Sequence, residues 1–165
     1  MKPLNPDSGK VDLGGLDFNV KRALMIIAYL YGWGAAVKVA ELKPEVIYNP
    51  VLKRVKHVKA GGRVLFSIRA SDGLLIPTID GARLVDSRIV VSREAAKFAS
   101  EGRNIPAKAI KGVVNVVQNM DAAVVDEDGN VVAVGRLLVS PGELNGLSRG
   151  FVVKVRHHVK RDAKS

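Results

Sequence analysis

The stretch Arg88-Ile-Val-Val-Ser-Arg-Glu-Ala-Ala-Lys-Phe-Ala-Ser-Glu-Gly102-Arg-Asn-Ile-Pro-Ala-Lys108 decides how the second half of this chain folds. Arg88 to Val91 is a short β-branched run and reads as a strand. Ser92 follows it as a helix N-cap, and Arg93 to Ser100 is the helix. Gly102 stands where a helix stop needs a residue free to take positive φ. Ile105 to Lys111 reads as extended. A strand, a capped helix and a return strand within some two dozen residues build one corner of a small sheet structure.

Toward the C-terminus, Ala122 to Val125 and Val131 to Val139 form a hairpin across Asp126-Glu127-Asp128-Gly129-Asn130. That acidic run has turn chemistry and is read as a hairpin tip, not a metal site. Gly150 to His158 is the last strand. Val153 and Val155 share one face; Lys154, Arg156 and His158 share the other. Several short strands with one helix predict a partly open β-barrel. His157 and His158 are adjacent, so a regular strand points them to opposite faces, away from any shared metal.

Toward the N-terminus the pattern is helical. Asp17 caps a helix whose Val20, Ala23, Leu24, Ile27 and Tyr31 make one buried face. Gly32 ends it. Gly34 to Leu42 is a second helix, stopped by Lys43-Pro44. Short strands follow at Glu45–Tyr48, Val51–Val58, Arg63–Arg69 and Leu74–Thr78, with Ser71-Asp72-Gly73 as a turn. The fold class is therefore α+β. Residues 1–86 form a small α+β domain with 1–16 as a flexible arm, residues 87–160 the barrel, and 161–165 a basic tail. Most of the eight aromatic residues are expected in the core.

Composition narrows the function. The 165 residues are 47% hydrophobic and 25% charged, the balance of a globular chain. The longest apolar stretch, Ala23 to Ala36, is too short to span a membrane, and the N-terminus does not read as a secretory signal, so a cytoplasmic protein is expected. No cysteine is present, which excludes disulfides, thiolate metal sites and cysteine nucleophiles. No phosphate loop, zinc-helix or nucleophile-elbow motif occurs, so neither an enzyme, a cofactor nor a metal is expected. Lys and Arg number 26 against 16 Asp and Glu, a net charge of +10. The excess is shared equally by residues 1–86 and 87–165. A chain this basic favours a polyanionic partner, above all nucleic acid.

Three basic clusters stand out. Lys53, Arg54, Lys56, Lys59 and Arg63 form the first. The second surrounds the Ser92 helix and its exit: Arg93, Lys97, Arg103, Lys108 and Lys111. The third lies on the last strand and tail: Lys154, Arg156, Lys160, Arg161 and Lys164. If the helix exit and the last strand meet, the second and third clusters merge into one groove. Gly102 would let a phosphate or ribose approach the backbone there.

The second half resembles a PUA domain, a small RNA-binding barrel found in pseudouridine synthases and archaeosine transglycosylases. The stretch from Arg88 to Lys108 carries the resemblance, together with Val131-Val-Ala-Val-Gly-Arg136 and Arg149-Gly-Phe-Val-Val-Lys-Val-Arg156. Upstream, Tyr31-Gly-Trp-Gly-Ala-Ala36, Ile68-Arg-Ala-Ser-Asp-Gly73 and Asp80-Gly-Ala-Arg-Leu84 resemble the region before the PUA domain in archaeal tRNA-guanine transglycosylases. The chain is too short for the catalytic barrel of that family. The resemblance therefore implies a non-catalytic, free-standing copy of its tRNA-binding C-terminal region, engaged in tRNA modification. Its partner would be tRNA or another structured RNA. A separate tRNA-modifying enzyme or a ribosome-assembly protein, docked through the N-terminal domain, is the alternative. Carried over, the RNA-contacting residues are Gly102, Arg103, Asn104, Lys108, Lys154 and Arg156. Charge adds Arg93, Lys97, Lys111, Lys160 and Arg161. One departure from the family pattern is Met120, where a glycine usually precedes Asp121.

Overall fold

The computed structural model describes residues 13–159. In chain order the elements are α1 (Phe18–Tyr31), α2 (Trp33–Glu41), β1 (Glu45–Asn49), β2 (Arg54–Ala60), β3 (Arg63–Ile68), β4 (Leu75–Pro77), α3 (Ile79–Ala82), β5 (Arg88–Val91), α4 (Arg93–Ser100), β6 (Ile105–Pro106), β7 (Ile110–Val114), β8 (Asp121–Val125), β9 (Val131–Leu137) and β10 (Phe151–His158). Strands β1 to β4 form an antiparallel sheet in sequence order. The other six form a mixed sheet in the order β6-β10-β9-β8-β5-β7, with β5 and β8 parallel.

That second sheet has to curl. Its two edge strands, β6 and β7, are joined by only Ala107–Ala109 in a 3-10 turn. Three residues reach roughly 10 Å at most, so the edges meet and the sheet closes into a half-barrel. The turn also breaks the extended segment expected over Ile105 to Lys111. Its interior is small and branched: Ile89, Val91, Ala122, Val124, Ala133, Leu137 and Val153 are all buried, and Ala95, Ala96 and Ala99 bring α4 down onto them.

The centre of the barrel sheet's opposite face is covered. Ala123, Val125 and Val134 join Leu24, Ile27, Val58, Leu65 and Phe66 in one apolar cluster with the N-terminal layer. Leu13 and Leu16 pack against the same cluster, so this part of the expected flexible arm is folded against the body. Residues 1–12 of that arm lie outside the described residues. Gly81 sets the join. A Cβ there would sit 1.9 Å from the Leu65 carbonyl oxygen, so only glycine lets α3 lie directly on β3. Thr78 caps α3 and donates its hydroxyl to the Val64 carbonyl at 2.6 Å.

A buried ion network pins the two sheets. Arg69 donates to Asp121 at 2.6 Å and to Asp72 at 2.8 and 2.9 Å. Arg136 approaches the same Asp121 oxygen at 3.6 Å. Asp121 is 4% exposed. Burial pushes its carboxyl above the usual range, and the Arg69 and Arg156 charges pull it back.

The aromatic side chains depart from expectation. Tyr31 and Phe66 are buried, 5.7 Å apart between ring centroids. Phe18, Tyr29, Trp33, Tyr48, Phe98 and Phe151 are exposed. The cause is local: the inward face of α1 is already filled by Val20, Ala23, Leu24, Ile27 and Tyr31. Similarly, the inward face of α4 holds three alanines, and Phe98 stands off it.

Candidate nucleic-acid interface

The exit of α4 is a complete glycine cap. The Gly102 N–H donates to the Ala99 carbonyl at 3.0 Å, and the Arg103 N–H donates to the Phe98 carbonyl at 3.0 Å. Gly102 has φ +86°, the left-handed value this motif requires. The chain then turns sharply along β10. Asn104 fixes it there, its Oδ1 accepting from the Val155 N–H at 3.1 Å. His158 closes the corner by donating from Nδ1 to the Ser100 carbonyl at 3.1 Å. A Cβ on Gly102 would lie 3.0 Å from the His158 ring. Helix exit and last strand therefore meet, but the two basic clusters do not share one groove: Arg103 and Lys108 line one and Arg156 another.

Beside this corner opens a groove of about 650 Å³. Phe98, Gly102, Arg103, Pro106, Lys108 and Phe151 are among its lining residues. The Arg103 guanidinium lies 5.2 Å from the centre of the Phe98 ring. That distance is within the range of a cation–π contact, which holds the cation over an aromatic face. Glu101 lies 3.8 Å from the Arg103 Nε. The groove thus combines cations, exposed aromatic faces and a backbone bare of side chain at Gly102.

The remaining expected residues are dispersed. Arg93 reaches away to Asp128 at the hairpin tip, 3.4 Å. Lys97 is exposed on α4, and Lys111 is exposed on β7, the sheet edge. Asn104 spends its side-chain oxygen on the fold itself. Arg156 lies in a second groove, facing α3. Lys154 is exposed opposite Arg136 in the strand register. Lys160 and Arg161 lie outside the described residues. Sequence reasoning, which expects most aromatic residues in the core, does not single out Phe98 and Phe151 as groove walls; for Phe98 the available signal is that Ala95, Ala96 and Ala99 already supply the helix's inward face.

The two histidines also differ from the regular-strand reading. Opposite β9, Val155 pairs with Gly135 and His157 with the very next residue, Val134. Arg156 is therefore a bulge, and bulges re-aim the side chains around them. Arg156, His157 and His158 all line the second groove. Among the described residues no cluster of three or more His, Asp or Glu is arranged to hold a metal ion. No described helix is long and apolar enough to cross a membrane.

The sequence profile of the PUA domain matches residues 87–159. That stretch of the chain is PUA-like. The profile of the patch-forming domain C2 of tRNA-guanine transglycosylase matches residues 21–90, immediately before it. The tRNA-guanine(15) transglycosylase of Methanocaldococcus jannaschii is 32% identical over 148 residues, which is 84% of this chain and 23% of that protein. The Thermococcus kodakarensis enzyme is 30% identical over 149 residues, 86% of this chain and 25% of that one. The chain thus spans about a quarter of the length of these relatives. Among solved structures, a hypothetical protein of Pyrococcus horikoshii superposes with a TM-score of 0.70 at 23% identity, covering 87% of this chain and 92% of that one. A PUA domain from Aeropyrum pernix, crystallised with tartrate, gives 0.66 at 18% identity, covering 89% and 85%. At these identities the likeness is one of fold.

Proposed function

We propose that this protein is a non-catalytic RNA-binding protein that grips tRNA, near the acceptor stem, in the groove at the α4 exit. The observation that carries this reading is the groove itself. Arg103 stacked on Phe98, Lys108 and the exposed Phe151 surround a glycine turn where a backbone can approach closely. Phosphates would be held by the cations and an unpaired base or ribose by the aromatic faces, the division of labour RNA recognition uses. The C2 and PUA relatives act on tRNA by name, which supports tRNA as the first RNA to test. Binding of a labelled tRNA transcript, titrated with salt, is the experiment. Four to six neutralised phosphates give a log K against log salt slope of about −3 to −5; a flat titration refutes the reading.

A second reading has its own observation. Phe18, Met25 and Tyr29 line up on the outer face of α1 and are exposed, Tyr29 to 89%. Such a stripe suits docking to a tRNA-modifying enzyme or a ribosome-assembly protein. Recovery of the same protein partner from native extract after RNase treatment favours that role; loss of every partner on RNase treatment opposes it.

A further inference from the structure

A third groove, of about 440 Å³, opens between the C-terminal end of α1, the turn after β3 and the segment that joins β7 to β8. Tyr29, Leu30, Leu74, Val117 and Met120 are among its lining residues. Tyr29 is 89% exposed, Val117 66% and Leu74 38%. They come from three separate segments, so only the fold gathers them. Met25 and Phe18, both exposed, continue the same face along α1. The joining segment is pinned: the Asn119 N–H donates to the Leu137 carbonyl at 2.6 Å, and the Gln118 amide donates to the Leu138 carbonyl at 3.1 Å.

Charge sets this groove apart from the other two. The chain carries +10. Among the described residues, the only charged ones lining this groove are Arg69 and Asp121, and they bond to each other at 2.6 Å. A polyanion finds no unpaired cation here. A second copy of the same basic chain, by contrast, can approach where like charges do not face one another. The face is also complementary to itself. Tyr29 stands out beside an apolar recess, and a tyrosine hydroxyl taken out of water needs a partner. Neither that hydroxyl nor the Asn119 side-chain amide has one among the described residues. The exposed parts of Phe18, Met25, Tyr29, Leu74 and Val117 amount to about 600 Å². A two-fold pair would bury about 1,200 Å², the size at which specific interfaces begin.

We propose that this face pairs two copies of the chain about a two-fold axis, each Tyr29 seated in the other copy's groove with its hydroxyl on the other copy's Asn119. Such an interface is isologous and closes on itself. The α4 groove shares no lining residue with this one, so the pairing does not depend on RNA binding. The two net charges oppose it, and salt therefore strengthens it by screening them, the reverse of its effect on a phosphate contact.

The test is sedimentation of the full chain, freed of nucleic acid, from about 1 to about 500 µM. The expected result is a monomer–dimer equilibrium with a dissociation constant of about 10–100 µM. It should be tighter in about 0.5 M salt than in about 0.1 M. Tyr29→Ala and, separately, Val117→Asp should each raise the constant at least about tenfold. Tyr29→Phe, which keeps the ring and loses the hydroxyl, should raise it about threefold. Both positions are exposed, so each variant should melt as the wild type does. A monomer at every concentration overturns the inference and leaves this face to a different protein. A dimer that neither Tyr29→Ala nor Val117→Asp weakens overturns it too, because the copies then meet elsewhere. So does a dimer that salt dissociates, because charged groups then hold it.

Discussion

Replacing Asp121 by alanine removes the acceptor at the centre of the ion network between the two sheets. The side chains around it are largely out of water: Arg69 is 12% exposed and Arg136 is 19%. Arg69 keeps Asp72, which it holds through two short bonds. Arg136 keeps no carboxylate, and its Nε and one terminal nitrogen have no hydrogen-bond partner among the described residues. Breaking a buried pair from one side costs about 3–5 kcal/mol, because a charge is stranded. The surviving Asp72 contact puts this case at the lower end, about 3 kcal/mol. At about 2–4 °C per kcal/mol for a chain of this size, the melting temperature should fall by about 6–12 °C. The assay is a thermal melt at pH 7, together with a double-mutant cycle using Arg69→Met. The cycle should show a coupling of at least about 0.5 kcal/mol. A fall of less than about 3 °C with strictly additive effects refutes the view that Asp121 holds the sheets together.

Gly102→Ala puts a Cβ against His158 and a side chain into a left-handed position, so it should cost about 1–2 kcal/mol of stability; Gly102→Asp should cost similar stability and weaken tRNA binding further, and equal affinities for the two variants contradict a phosphate beside this turn. Gly81→Ala drives a methyl into the Leu65 carbonyl and should destabilise by at least about 1–3 kcal/mol; a melt unchanged from wild type rules out the α3–β3 packing. Acid should destabilise the protein. The Arg69 guanidinium holds Asp72 below the usual carboxylate range, and the Asn130 side chain with nearby N–H donors does the same for Asp126. Stability from a depressed carboxyl is present above its unfolded pKa of about 3.9 and is lost as pH falls through the folded value. Melting temperature should therefore fall below about pH 4, less steeply in Asp126→Asn; an identical acid limb in that variant excludes Asp126 as a contributor.

Much of the local chemistry was legible in the sequence, although the Ala107–Ala109 turn and the Thr78-capped α3 were not. The buried face of α1, the Ser92 cap and the Gly102 stop depend on residues within a few positions of one another, and periodicity and capping preferences act at that range. The basic excess also followed from residue types, whereas the meeting of the α4 exit with the last strand stood only as a condition until the Asn104 and His158 contacts showed it. Three further things did not follow. Phe98 and Phe151 became groove walls because alanines and valines had already filled the interior, and core volume is a sum over the whole fold. Arg156, His157 and His158 came to share a groove because of a bulge, which exists only relative to the partner strand β9. The junction between Arg69 and Asp121 spans 52 positions, a distance at which only the folded chain brings charges together. The sequence by itself determined most of the elements, the Asp17 and Ser92 caps and the sign of the surface. Tertiary packing decided which cations share a groove and which aromatic rings meet solvent, since each depends on what the opposing layer occupies.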